Sequence, residues 1–230
     1  TAPAGEAAAG QDPNASKAAA TGAGSDEQAH VDGVKVLVVS SSLDQSEKLV
    51  SAAMQDVVKV LYDGTTDTPD AILAMIQSAL GGRQAESIAF GNHEVGDGGF
   101  GLTGGCTVNS ASVASDPRLA DFWRDIGTLL EERGRIDLLA CNLTATGAGQ
   151  TMAQQIEALS GHGVAASDDV TGNAAQGGDW TLESGGADAA ATYFDSARIA
   201  DYTGKLDNHA PSLSGDATLA SVVQNTTNPA

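Results

Sequence analysis

The stretch VKVLVVS (Val34–Ser40) indicates the fold class. It is a continuous apolar run rich in β-branched residues, which is typical of a strand buried on both faces. Similar candidate strands recur along the chain, at residues 57–62, 86–92, 136–141 and 163–167. Helical patterns separate them, at residues 43–55, 69–80, 116–134 and 147–159. Strands that alternate with helices imply right-handed crossovers, so the sequence predicts an α/β domain with a mostly parallel sheet covered on both faces.

Composition divides the chain into three parts. Residues 1–32 contain almost no large apolar side chain, so they are predicted to form a disordered leader that cannot offset its chain entropy by burial. Residues 33–204 carry the α/β pattern, with weaker signals for a glycine-rich hairpin at 96–105, a short strand at 180–183 and an irregular piece at 197–202. Residues 205–230 lack a helical pattern and predict a linker that leads into a further module.

The charge balance excludes some partners. The 230 residues include 30 acidic and 11 basic side chains, a formal charge of −19, so phosphate backbones are repelled and nucleic acid is not expected as a partner. Such a surface suits a protein that lies near divalent cations, or it merely keeps the protein soluble.

No apolar run approaches the roughly 20 residues of a membrane span. The two cysteines, Cys106 and Cys141, are too few for a disulfide framework.

A histidine and a cysteine follow two candidate strands of this sheet. His93 follows the third strand and Cys141 ends the fourth. Adjacent parallel strands lie about 4.8 Å apart and their carboxyl ends share one edge, so the two side chains can converge on one cleft. A neighbouring imidazole can generate the reactive thiolate, and the glycines of residues 96–101 allow main-chain N–H groups to approach an oxyanion. From the residues alone, a small core cysteine and a structural histidine remain the alternative.

Further polar residues are candidates for binding. Asp168 and Asp169 follow the fifth strand, where they are either a pocket for a basic substrate side chain or solvated turn carboxylates. Together with Asn173 and Asp179 they supply oxygen ligands for calcium, although the spacing lacks the EF-hand order. Structural roles are predicted for three other residues: Cys106 beyond a glycine turn, His162 at a helix end and Trp180 in the short strand.

Five ordered segments carry a resemblance to a known family. They are IAFGNHE (88–94), IDLLACN (136–142), GQTMAQQIEALSGHGVAAS (149–167), DDVTGN (168–173) and GGDWTLE (177–183). The series resembles the bacterial domain of unknown function 4347, which is found near the start of giant cadherin-like repeat proteins and is grouped with the caspase, gingipain and clostripain peptidases of clan CD. The tail DNHAPSLSGDATL (207–219) is similar to the start of such repeats. The resemblance spans about residues 34–202 and implies a three-layer caspase-like sandwich in a secreted or cell-surface bacterial protein.

The resemblance also implies roles for individual residues. His93 corresponds to the general base and Cys141 to the nucleophile, with the amides of Glu94 and Cys141 at the oxyanion. Glu94 replaces the glycine that usually follows the histidine, which restricts the backbone and adds negative charge beside the oxyanion. Inactivity, or activity that needs a bound cation such as calcium, is therefore an alternative to a working dyad.

Two functions follow from this resemblance. The first is a caspase-like cysteine endopeptidase that needs no cofactor and acts on a protein or peptide substrate, its own chain included, with Lys205 as a cleavage position in an accessible linker. The second is a non-catalytic module that serves anchoring or partner binding in a calcium-dependent surface adhesin.

Overall fold

A computed structural model describes residues 33–207. The elements are, in chain order, β1 (Val34–Ser40), α1 (Ser46–Ala52), β2 (Val58–Tyr62), α2 (Pro69–Leu80), β3 (Ala85–Gly91), β4 (Glu94–Gly96), β5 (Gly99–Thr103), β6 (Cys106–Val108), α3 (Ser110–Ser115), α4 (Pro117–Thr128), β7 (Leu130–Leu139), α5 (Gly147–Ser160), β8 (Gly163–Ala166), a 3-10 helix (Ala174–Gln176), β9 (Thr181–Leu182), β10 (Ala187–Asp188), α6 (Ala189–Tyr193) and α7 (Ser196–Ile199). Within this described part of the chain, no helix has both the length and the apolar character that crossing a membrane requires.

The core of the fold is a five-stranded sheet with the strand order β2-β1-β3-β7-β8, and all four neighbouring pairs are parallel. Side chains of β1 alternate between two apolar clusters, because successive residues of a strand point to opposite faces. Val36 and Val38 pack on the side of α2, α4 and α5, whereas Leu37 and Val39 pack on the side of α1, α6 and α7. The predicted α/β architecture, with helices on both faces of a parallel sheet, is confirmed.

Local signals place several elements as expected. β1 has the predicted bounds, and the Thr68 hydroxyl caps α2 by accepting a hydrogen bond from the Ala71 N–H at 3.2 Å. Pro69 occupies the first turn of α2, where its missing N–H has no cost. The glycine-rich segment forms the antiparallel strands β4, β5 and β6, one strand more than a hairpin.

Two predicted helices differ from the structure. The helix expected over residues 116–134 ends at Thr128, and the sheet strand β7 begins at Leu130. Its apolar period continues through Leu130, but Leu130 pairs with Ala85 of β3, and this tertiary pairing overrides the local pattern. The helix expected over 43–55 is shortened to Ser46–Ala52, because Gln45 before it is left-handed with φ 57° and Ala53 after it is extended with ψ 141°.

The predicted leader at residues 1–32 and most of the predicted linker, residues 208–230, lie outside the described residues. Lys205 and Leu206, which the sequence assigns to the linker, belong to the packed fold. Lys205 pairs with Gly172 in an antiparallel bridge, and the Leu206 side chain is buried.

The first turn of α5 provides a matched test of packing. A Cβ at Gly149 would lie 1.5 Å from the Leu143 carbonyl oxygen, whereas a Cβ at Gly147 meets nothing within 4 Å. We expect Gly149→Ala to lower the free energy of unfolding by about 2 kcal/mol or more. Gly147→Ala is expected to leave it unchanged or raise it by up to about 1 kcal/mol. Urea denaturation of both variants measures the difference, and equal midpoints would contradict this packing.

Candidate functional site

The ends of β3 and β7 lie side by side at one edge of the sheet. Gly91 and Leu139 are the last residues of the two strands in register, and the Asn92 N–H extends the pairing by donating to the Leu139 oxygen at 3.0 Å. His93 and Cys141 each follow two residues after this last pair. The strand-end position that the sequence predicts for both residues is therefore a position on neighbouring strands.

The thiol of Cys141 is enclosed by the loop that follows β8. Its side chain is 0% exposed, and its Sγ accepts a hydrogen bond from the Thr171 N–H at 3.3 Å. The thiol in turn donates to the Thr171 oxygen at 3.5 Å. Burial raises the pKa of the Cys141 thiol to about 11, and the Thr171 N–H offsets only part of this effect. In this arrangement the thiol stays protonated at neutral pH.

The imidazole of His93 is half-buried and held by one ring nitrogen. Its Nε2 lies 3.0 Å from the Ser42 carbonyl oxygen. A carbonyl oxygen only accepts, so Nε2 carries the proton and Nδ1 of the neutral ring is the acceptor. This Nδ1 is buried, and within residues 33–207 it forms no hydrogen bond. In the same part of the chain no hydrogen bond joins His93 to Cys141, so the two groups share the strand edge without direct pairing.

A buried amide fixes the backbone beside His93. The Asn92 side chain donates to the Tyr62 hydroxyl and, at 2.9 Å, to the Gly101 oxygen. The Tyr62 hydroxyl donates to the Leu102 oxygen at 2.6 Å, and burial raises its pKa to about 12. These bonds fasten the end of β3 to β5. The sequence places Asn92 at the strand end beside His93, but it did not indicate this role for the side chain.

The turn after Cys141 is held in a conformation that few side chains adopt. Asn142 has φ 55°, and asparagine tolerates this left-handed region better than most residues. Its N–H donates to the Asp169 oxygen at 2.6 Å, and the Thr144 N–H donates to the Ser167 oxygen at 2.9 Å. The backbone that carries Cys141 is thereby tied to the segment that leaves β8.

The main-chain N–H of Glu94 binds residue 206, near the C-terminal end of the described residues. Its N–H donates to the Leu206 oxygen at 3.2 Å. Its carboxylate accepts from the Gly96 N–H at 2.6 Å, which engages it in the turn between β4 and β5. The glutamate at this position therefore keeps the N–H as a donor.

A short segment, residues 204–206, crosses the same edge, and we term it the strap. The Gly204 oxygen accepts from the Asn173 N–H at 2.9 Å, and the Leu206 N–H donates to the Thr171 oxygen at 2.9 Å. The Lys205 ammonium pairs with the Asp207 carboxylate at 2.6 Å. Lys205, the predicted cleavage position in an accessible linker, is thus part of a hydrogen-bonded segment. Sequence reasoning did not find the strap, since a lone leucine in a polar tail carries no pattern.

An acidic cluster lies on the β8 side of the site. Exposed carboxylates of Asp168, Asp169 and Glu183 place one oxygen each within 4.8 Å of one another, an arrangement that can hold a metal ion. Desolvation, followed by the neighbouring carboxylates, raises the pKa of Asp169. The structure thus unites two of the four calcium candidates with Glu183, which the sequence did not suggest.

The other two calcium candidates serve local structure. The side-chain amide oxygen of Asn173 accepts a hydrogen bond from the Ala175 N–H at 2.8 Å. The Asp179 carboxylate accepts one from the Thr181 N–H at the same distance, 2.8 Å. In each case the side chain stabilises its own turn.

The remaining sequence candidates make structural contacts. Cys106 is a half-buried free thiol in β6. The His162 Nδ1 lies 3.1 Å from the Gly134 oxygen. The Trp180 ring lies 5.1 Å from that of Phe194 and 5.8 Å from that of Tyr202. These contacts agree with the structural roles expected for them.

Comparison with known proteins assigns the chain to a family. Residues 36–206 match the family described as Domain of unknown function (DUF4347). The chain belongs to this family. No curated protein and no solved structure matched it. The DUF4347 match ends at Leu206, so it includes the strap as well as both strand ends.

The raised pKa of Cys141 in the DUF4347 domain predicts the pH dependence of its alkylation. A pKa of about 11 leaves few thiols deprotonated at pH 7, so the rate should rise about tenfold per pH unit through pH 9. Iodoacetamide labelling of the Cys106→Ser variant, followed by peptide mass spectrometry, measures Cys141 alone. A rate that already levels off near neutral pH would contradict the enclosed, protonated thiol.

Proposed function

We propose that this DUF4347 domain is a caspase-like cysteine endopeptidase of a secreted or surface-exposed bacterial protein, with Cys141 as the nucleophile and His93 as the base. One observation carries the proposal: a buried imidazole nitrogen free to accept a proton follows the end of β3, and a buried thiol follows the end of the adjacent strand β7, at the same sheet edge. Such an edge is where parallel α/β sheets hold their reactive groups. The family resemblance supports the same pair.

Each catalytic step falls to a group of this site. His93 Nδ1 accepts the thiol proton, and the resulting thiolate of Cys141 attacks the carbonyl carbon of a peptide bond. The amides of Glu94 and Cys141 stabilise the oxyanion, as main-chain N–H groups do in acyl transfer. Protonated His93 then gives its proton to the leaving amine, and water hydrolyses the thioester.

The local contacts prepare His93 for this role. The Ser42 carbonyl fixes the proton on Nε2, which leaves the lone pair on Nδ1. Proton transfer requires Nδ1 and the thiol to come within hydrogen-bond reach, so a shift of the thiol or of the loop at Thr171 is part of the mechanism.

Peptide cleavage is the direct test. The full chain is incubated with a mixture of peptides at pH 8, and new termini are identified by mass spectrometry. We expect cleavage by the unmodified chain, loss of cleavage in Cys141→Ala, and a reduction of about 10²–10⁴-fold in His93→Ala. Intact mass measured in the same samples detects cleavage of the chain itself.

Cys106→Ser is the matched control, because it removes the other thiol and is expected to leave cleavage unchanged. Cleavage that persists in Cys141→Ala, or is absent from the unmodified chain under every condition including added calcium, would contradict the peptidase.

The acidic cluster favours a second candidate function. A non-catalytic module of a calcium-dependent adhesin would use Asp168, Asp169 and Glu183 as ligands, since calcium prefers carboxylate oxygens. In this function Cys141 is a core residue, and its replacement affects stability alone.

Calcium titration by calorimetry tests this alternative. We expect binding in the range of about 10⁻⁴–10⁻³ M, weakened about tenfold in Asp168→Asn or Glu183→Gln, because each substitution removes one anionic ligand. The raised pKa of Asp169 lets protons compete at a higher pH than for an ordinary aspartate, so binding should weaken as the solution becomes acidic. Asp56→Asn, at an exposed position, is the control. Equal heats in all four proteins would exclude the cluster as a calcium site.

A further inference from the structure

The strap contacts the domain through one isolated antiparallel β-bridge. Lys205 pairs with Gly172, and the bridge is made by the bonds from Asn173 N–H to Gly204 and from Leu206 N–H to Thr171. All of these contacts are between main-chain atoms. Extended peptides bind to exposed strand edges in this manner, with main-chain bonds for affinity and side-chain pockets for selectivity.

The Leu206 peptide group faces the proposed catalytic groups. Its carbonyl oxygen accepts from the Glu94 N–H at 3.2 Å, the donor assigned to the oxyanion. Its N–H lies near enough to the Cys141 thiol to lower the pKa of that group slightly. A substrate carbonyl under attack by Cys141 would be oriented in the same way.

The two side chains at the end of the strap have different surroundings. The Leu206 side chain is 0% exposed and belongs to the apolar cluster that contains Cys141 and Tyr202. The Lys205 side chain is directed to the Asp207 carboxylate, with part of it exposed. The surroundings of the Leu206 side chain are thus apolar, which differs from the pocket for a basic side chain expected at Asp168 and Asp169.

We propose that the strap occupies the peptide-binding groove of this site, slows access to Cys141 without abolishing it in the resting protein, and marks the substrate class as peptides with an aliphatic residue in the place of Leu206. The proposal rests on the proposed peptidase function. It names the groove, the side chain that the groove selects and the segment that must leave before a substrate enters.

Two substitutions in the full chain displace the strap by independent means. Leu206→Ala removes its buried anchor, and Gly172→Ala places a Cβ 2.6 Å from the Lys205 Cα and 2.8 Å from the Gly204 oxygen. Leu182→Ala is the control for the first, because Leu182 is equally buried in the same cluster outside the strap. Gly177→Ala is the control for the second, because Gly177 also has a positive φ but a Cβ there meets nothing within 4 Å.

The readout is covalent labelling of Cys141, located by peptide mass spectrometry. Iodoacetamide reports access to the thiol. Two peptidyl acyloxymethyl ketones, one ending in leucine and one in lysine, report the selectivity of the groove.

In Leu206→Ala and Gly172→Ala we expect Cys141 to label at least tenfold faster than in the unmodified chain. We also expect the leucine probe to react at least tenfold faster than the lysine probe. The control variants should label at the unmodified rate, and circular dichroism establishes that every variant is folded.

The proposal and the function beneath it fail in different ways. Labelling of both folded strap variants at the unmodified rate, or a preference for the lysine probe, would overturn the role of the strap. His93→Ala is also added to each strap variant. If Cys141 still labels fast in the double variant, the role of the strap is supported, but the proposed pairing of His93 with Cys141 is contradicted.

Discussion

The pairing of β3 with β7 is the constraint on which the site depends. Because the pair is parallel and its register ends at Gly91 and Leu139, the residues that follow leave the sheet at the same level. Asn92 fastens one exit to the β4–β6 sheet, and Asn142 fastens the other to the segment after β8. A shift of the register would separate the imidazole from the thiol and disconnect both networks at once.

The sheet edge that holds the candidate site could be predicted from the sequence, but the detailed contacts of that site could not. Continuous apolar runs are typical of buried parallel strands, so the strands could be recognised from the sequence. Reactive groups commonly follow the carboxyl ends of such strands, and this rule selected His93 and Cys141 as candidates. Thr171 encloses the thiol from 30 positions further along the chain, and Ser42 holds the imidazole from 51 positions before it. Contacts over such separations depend on the tertiary fold, which a local pattern does not contain.

The end of α4 shows the same limit within the secondary structure. Leu129 and Leu130 continue the helical period, yet the chain gains more by adding Leu130 to the sheet beside Ala85. Glu183 joins Asp168 and Asp169 for a related reason, because the bridge between Ala166 and Ser184 brings the β9 segment against the end of β8. Pairing between strands far apart in the sequence thus sets both the end of α4 and the position of Glu183, and a local sequence pattern does not contain this information.

A buried thiol is compatible with both a core residue and a latent nucleophile. Cys141 contributes to an apolar cluster, as small cysteines do, and its high pKa protects it from oxidation and alkylation. The same enclosure removes it from water, which strengthens every electrostatic interaction once the thiolate forms. Stability of the resting fold and restraint of its reactivity thus have a single physical cause, the desolvation of the sulfur.

The position of the strap at the end of the described fold also has a mechanical consequence. Residues 208–230 continue the polypeptide directly beyond it. Tension on that continuation, directed away from the sheet edge, would load the two hydrogen bonds of Leu206 first and the bond at Gly204 last. Bonds that break one after another resist far less force than bonds loaded together, so the strap would peel from its C-terminal end while the parallel sheet beneath it remained intact. In the proposed arrangement, a pull on the chain would therefore expose the Cys141 sulfur.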